Sequence, residues 1–341
     1  MHVFVAGATG DLGRPLVREL VDRDHDVTGL ARDERGDRRV ERAGGVPHRG
    51  DVLATDSLEA GAADADVIVH AATRIPTGPK PTATDWRRND RVRFEGARNL
   101  LEVADAVGVD RLAFPSVVWA YRRRGRGAVA VGDPPAADRT TRSAVETERL
   151  LRAAADDGFD VTILRYGLFY GPASTQTHLF GRRLLAGRLP IVGGGPLGRT
   201  ETLVSAIHAT DAARAMAAAI EAGATGTYHV VDERPVTTAT FFETFADVLE
   251  AGAPRRIPGW LARPIVGRDV VGLLTNDFPT TNDRFTRTVG WNPQYPTVEE
   301  GLAAVVDRWL DRGRLRETRT GYEWQDRPES DGKSTARTAV R

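Results

Sequence analysis

Three glycines stand three residues apart near the start of the chain, Gly7, Gly10 and Gly13, in the run GATGDLG. Glycines at that spacing suit the cradling of a phosphate by backbone N–H groups. Gly7 permits a tight turn. Gly10 lets the backbone approach a pyrophosphate, and Gly13 lets a helix lie close on the strand before it. Val3 and Val5 lead into the loop as a short β-branched run, a strand pattern. Leu12, Leu16, Val17, Leu20 and Val21 leave it at helical spacing, with Pro15 tolerated in the first turn. The helix N-terminus then offers free N–H groups and a partial positive charge to the phosphates. A glycine-rich turn with no ligand is the plain alternative. A bound dinucleotide is the expectation, because strand, turn and helix agree.

Other chemistries are excluded by what is missing. There is no cysteine, which rules out disulfides, thiolate metal sites and a cysteine nucleophile. No cluster of histidines and carboxylates has metal spacing, so no metal is expected. Lys80 and Lys333 are the only lysines, so a lysine-dependent mechanism has almost nowhere to go. Formal net charge is +0, which gives no electrostatic case for a nucleic-acid or membrane partner. No apolar run approaches the roughly 20 residues of a membrane span. With 341 residues, 41% of them hydrophobic, the chain can bury a substantial core. The first strand follows Met1 at once, without a signal-peptide pattern. A cytoplasmic protein with a small-molecule substrate is the default expectation.

The elements that must position the loop alternate along the chain. Strands are expected at His25–Leu30, Gly45–His48, Asp66–His70, Arg111–Phe114, Val161–Leu164 and Gly226–Val231. Helices are expected at Trp86–Val107, ended by Gly108, and at Thr140–Ala155, Phe180–Arg188, Thr210–Ala222, Thr238–Ala251 and Thr297–Leu310. Thr237 or Thr238 is a candidate cap. Pro254–Pro264 reads as a connection, and the polar stretch from about Arg316 as a disordered tail. Strand–helix alternation implies an α/β fold with a doubly wound parallel sheet.

The series of landmarks resembles the extended short-chain dehydrogenase/reductases, in particular the NAD-dependent epimerase/dehydratase family. It comprises GATGDLG (Gly7–Gly13), GDV (Gly50–Val52), VIVHAAT (Val67–Thr73), GARNLLEVADAVGVDRLAFPS (Gly96–Ser116) and LRYGLFYGP (Leu164–Pro172). IHATDAARA (Ile207–Ala215), GTYHVVDERPVT (Gly226–Thr237) and GWNPQYPTVEEGL (Gly290–Leu302) complete it. The resemblance implies a Rossmann-type domain over 1–172, with 200–235 returning to its sheet. It implies a smaller substrate lobe from 173–199 and 236–315, then a tail over 316–341. Thr9, Asp11 and Leu12 join the glycines in the cofactor set. Asp51 and Val52 would border the adenine. Ala71, Ala72 and Thr73 would pass the phosphates and ribose, and Tyr166 and Gly167 would lie near the nicotinamide. At the end of the second strand, where an acidic residue would bond the ribose of NAD, stands Ala31, followed by Arg32. A guanidinium suits a 2′-phosphate, so NADP is favoured, with NAD open because Asp33 could rotate in.

The chemistry departs from the family pattern. A Tyr-x-x-x-Lys on the helix before the sixth strand normally supplies the proton, with a serine or threonine orienting the substrate oxygen. Glu148 sets the register, which places Thr140 at the tyrosine and Ala144 at the lysine position. Ser116 ends the fifth strand, but the usual serine or threonine position falls on Val117, and the usual asparagine on Arg93. Three outcomes stay open. Tyr121, Tyr166 or Tyr170 supplies the proton; Arg93 or Arg142 polarises a carbonyl; or the protein binds cofactor without turnover, as a regulator or sensor. Each tyrosine equally suits a core ring with a satisfied hydroxyl. His208 and Asp211 read as a structural contact and a helix-start carboxylate rather than a dyad. His178, Arg182, Arg183, Arg188, Thr200 and Trp260 fall on the substrate side. Arg188 matches the family's diphosphate arginine. A homodimer through the helices Trp86–Val107 and Thr140–Ala155 is also what the resemblance implies.

Overall fold

The structure is a computed structural model that describes residues 1–77, 80–121, 127–193, 197–198, 201–319 and 321–326. Thr200 and Lys333 lie outside the described residues. The central strands are β1 (His2–Ala6), β2 (Asp26–Ala31), β3 (Val46–Arg49), β4 (Val67–His70), β5 (Arg111–Val117), β6 (Asp160–Tyr166) and β7 (Gly226–Val230). Their order is β7-β6-β5-β4-β1-β2-β3, and every pairing is parallel. The helices used below are α1 (Gly13–Val21), α2 (Glu34–Arg42), α3 (Ala83–Asp90), α4 (Gly96–Val107), α5 (Arg142–Asp156) and α6 (Thr175–Leu185). They continue as α7 (Ala209–Glu221), α8 (Thr238–Val248), α9 (Gly259–Val266), α10 (Arg268–Leu274), α11 (Asp283–Val289) and α12 (Val298–Asp311).

Strand alternation divides the core. Val3 and Val5 face a cluster with Leu16, Val17 and Leu20 of α1 and Ala212 and Met216 of α7. Phe4 and Ala6 face the opposite cluster, with Leu100 and Val103 of α4 and Leu151 of α5. The strand order reverses at β1 and β4, and parallel sheets open a ligand crevice at such a point, beyond the carboxyl ends of the strands. The smaller lobe has its own core, in which Phe242 and Phe245 of α8 meet Leu302, Val305 and Trp309 of α12.

Several expectations need correction. The helix expected over Trp86–Val107 begins at Ala83, where Thr82 and Asp85 form a reciprocal capping box, and is interrupted by a π-type turn at Arg91–Glu95. The connection expected at Pro254–Pro264 is a strand, Arg256–Pro258, paired with Ile191–Gly193, followed by α9. α2 carries one buried aliphatic residue, Val40, too little for a periodic signal. The tail expected to be unstructured from Arg316 instead starts as a hairpin, Leu315–Thr318 with Gly321–Trp324. Trp324 anchors it, 5.0 Å from the Trp309 ring and 5.6 Å from His178.

Candidate functional site

The glycine loop has the geometry its spacing predicts. Gly7 has φ 95°, a left-handed conformation that favours glycine, and a Cβ there would lie 2.4 Å from the Ala71 carbonyl carbon. A Cβ on Gly13 would lie 2.0 Å from the Gly7 carbonyl oxygen. Gly10 is different: it is exposed, and its Cβ would meet only the Gly7 oxygen, at 3.2 Å. Two glycines are therefore forced by packing, and the third stands exposed, its N–H donating to the Gly7 carbonyl at 3.0 Å. Thr9 is half-buried, Asp11 exposed and Leu12 buried in the core. Arg14 pairs with Asp11 and donates to the Ala173 carbonyl at 3.0 Å, joining the loop to the segment after β6.

Arg32 is exposed just past β2. Asp33 caps α2, its carboxylate accepting the Gly36 N–H at 2.7 Å. That bond engages one oxygen of the Asp33 carboxylate. Asp51 accepts the Leu53 N–H at 2.9 Å through one carboxylate oxygen. Val52 is buried, and its carbonyl accepts from Asn99 at 3.0 Å.

At the other end, Ala71 and Ala72 are half-buried and Thr73 is exposed along the segment leaving β4. Gly167 is explained by protein packing, since a Cβ there would lie 2.7 Å from the Ser205 carbonyl oxygen. Val117 and Ala144 belong to one apolar cluster with Ala120 and Val145. Thr140 donates its hydroxyl to Asp138 at 2.6 Å.

The tyrosines do not meet at the crevice. Tyr166, expected near the nicotinamide and as a proton donor, points into the core beneath α7; this is a correction. Its hydroxyl donates to the Ala212 carbonyl at 2.9 Å, and burial pushes its pKa well above the ordinary value. In a strand that alternates faces, Arg165 takes the other side. Tyr170 is likewise buried and donates to Asp232 at 3.0 Å. Ser116 and Tyr121 enter a closed polar network with Arg165 as its centre. Register places Ser116, Arg165 and His229 side by side on β5, β6 and β7. Arg165 donates to both Glu148 oxygens, at 2.8 and 2.6 Å, and to the Tyr121 hydroxyl. Ser116 donates to Glu148. Tyr121 donates to His229 Nε2 at 3.1 Å, and His229 donates through Nδ1 to Thr280. Burial raises Tyr121 to about 12 despite Arg165, which makes it a weak acid in a scaffold.

The remaining candidates separate as cleanly. His208 caps α7, accepting the Thr210 N–H, and burial lowers it to about 4. Asp211 accepts the Gln294 and Tyr295 N–H groups at 2.6 and 2.9 Å. Arg188 is exposed beyond α6. Arg142 points outward and pairs with Asp90 at 2.9 Å. Arg93 is buried on the π-type turn and bonds Ser143 Oγ at 3.4 Å, one residue from Ala144. Sequence reading passed over Trp86 and Asn89 one turn earlier. Both are buried with an unpartnered donor nitrogen, and their three-residue spacing was the available signal.

Seven parallel strands with a glycine turn at the reversal point define the class, a dinucleotide-binding α/β protein of Rossmann type. The pattern described as the NAD dependent epimerase/dehydratase family matches residues 3–231, and the chain belongs to that family. It is similar to the 3-diazoavenalumate denitrifying reductase of a Streptomyces species, 33% identical over 318 residues that cover 89% of this chain and 99% of the relative. Its fold resembles the UDP-glucose 4-epimerase of Thermus thermophilus in complex with NAD, with TM-score 0.76, 22% identity and coverage of 91% and 99%. A human epimerase family protein with NADPH gives TM-score 0.74 at 20% identity, covering 90% of this chain and 99% of that one. Among the described residues no helix is long and apolar enough to cross a membrane.

Proposed function

We propose that the protein is an NADP-dependent reductase whose hydride acceptor needs no proton from the enzyme. One observation carries this reading: Val117 and Ala144, which the register read from Glu148 puts at the family's hydroxyl and lysine positions, are buried together in an apolar cluster, while Thr140 is tied to Asp138. A carbonyl gains negative charge on oxygen as hydride arrives and needs an acid there. A diazonium carbon does not. Hydride forms the C–H bond, the C–N bond breaks, and N2 leaves with its electron pair. The denitrifying reductase named among the relatives supports this class of acceptor. Bound NADPH would supply the hydride.

The residues present fit that cofactor. Gly10 puts no side chain in the way of a pyrophosphate, and the N-terminus of α1 adds its partial positive charge. Arg32 would meet the 2′-phosphate, while one Asp33 oxygen is engaged as a helix cap. Val117 and Ala144 carry no group that could give or take a proton at those positions. Calorimetry with NADP and NAD tests the cofactor, and NADPH oxidation followed at 340 nm with benzenediazonium and with benzaldehyde tests the acceptor. NADP should bind about tenfold more tightly than NAD, with Arg32→Asp abolishing the difference. Enzyme-dependent oxidation should accompany the diazonium salt and not the aldehyde. Turnover of the aldehyde alone would sink the acid-free mechanism. Binding without turnover of either would favour a regulator, and failure of both nucleotides to bind would reject the whole reading.

A further inference from the structure

Three buried donors on one stretch have nothing to donate to. Among the described residues Trp86 Nε1, Asn89 Nδ2 and Arg93 Nε have no hydrogen-bond partner, and each residue is more than nine-tenths buried. Native proteins leave few such groups, and each calls for an explanation. Trp86 and Asn89, three apart on α3, share a helix face. Asn89 accepts the backbone N–H of Arg74, just after β4, at 3.0 Å. Arg93 reaches Ser143 in the first turn of α5. The donors thus lie between the end of β4 and the start of α5, next to the segment Ala71–Thr73.

Charge narrows the ligand. Among the described residues no carboxylate forms an ion pair with Arg93. Burial lowers its pKa only to about 10, so it stays charged at neutral pH. Two buried acceptors, Asp90 Oδ1 and His70 Nδ1, also lack a partner among the described residues. Asp90 is near enough to favour the guanidinium's charge, but its ion pair is with Arg142. His70, lowered by burial to about 4, is neutral and bonds the Arg93 carbonyl at 2.8 Å. An indole N–H, an amide NH2 and a guanidinium form an acceptor-seeking set with a single positive charge. That set matches one carboxylate better than a diphosphate, whose charge one arginine would leave unbalanced. The smaller lobe carries exposed apolar side chains. Trp260, Leu261 and Ile265 are exposed on α9. Lys80 bonds the Pro264 carbonyl at 3.3 Å, tying α9 to the loop after β4.

We propose that Arg93, with Trp86 and Asn89, recognises the carboxylate of an organic-acid substrate with an apolar body, an inference that rests on the reductase reading of this same site. Benzoate and benzamide are suitable probes, being alike in shape and different in charge. Each is titrated calorimetrically into the NADP-loaded protein and, separately, into the protein alone, so that failure of the cofactor reading shows independently of the anion site. Benzoate should bind about tenfold more tightly than benzamide. Arg93→Met should erase that difference while NADP affinity is unchanged, Arg93→Lys should retain part of it, and Trp86→Phe should weaken benzoate about threefold. Equal binding of the two probes to the parent protein would overturn the proposal, even if Arg93→Met failed to fold. Benzoate preference that survives in Arg93→Met would overturn it too.

Discussion

At the scale of single residues, the clearest constraint is an absent atom. Gly13 has no room for a Cβ because the Gly7 carbonyl occupies that position. Gly13→Ala should push α1 off β1, cost about 1–3 kcal/mol in urea unfolding and weaken NADP binding in calorimetry. Gly10→Ala, with only a 3.2 Å contact, should cost less stability, so comparing the two separates packing from ligand approach. Gly13 was legible in the sequence because its constraint is local, as is the left-handed φ of Gly7, although the approach of Ala71 to Gly7 is a tertiary contact. The position of Tyr166 was not legible to the same depth. One step of alternation along β6 decides whether a residue faces α7 or the Glu148 network, and the end of a strand does not announce its face.

At the scale of elements, Glu148 and Arg165 fasten α5 to β6. Burial alone would raise the Glu148 pKa, yet hydrogen bonds and charge from Arg165, with smaller help from Ser116 and Arg152, hold it below the ordinary carboxylate value. Removing one partner strands the other charge in the interior. Arg165→Met should cost about 3–5 kcal/mol by chemical denaturation, and adding Glu148→Leu should restore much of it. An unchanged midpoint for the single variant would show that Arg152 alone satisfies Glu148. The acidic residue was visible in the sequence as a register mark. Its partner was not, since Glu148 and Arg165 meet only when β5, β6 and α5 pack.

At the scale of the molecule, three buried histidines couple folding to pH. His70, His208 and His229 are each lowered from 6.5 to about 4, with burial the first cause. Folded, they stay neutral below the pH at which an unfolded chain takes up protons. The unfolded state therefore binds more protons between about pH 6.5 and 4, and stability falls as pH drops through that window. Urea midpoints should decline steadily from pH 7 to pH 5 with the slope of the transition unchanged. A flat profile would mean these rings become protonated inside the fold.

The sequence by itself determined the glycine turn, most strands and helices and the parallel doubly wound sheet. These rest on local sterics and on periodicities of two and 3.6 residues, which one stretch of chain carries whole. Tertiary structure alone decided which polar groups pair. Ser116 and Tyr121 are bound into the network around Arg165, Asp33 is spent on a helix cap, and the hairpin after Arg314 is pinned by Trp324. The same holds for Trp86, Asn89 and Arg93. Their donors count as unpartnered only once every neighbouring acceptor is in place, and that depends on elements brought together from across the chain.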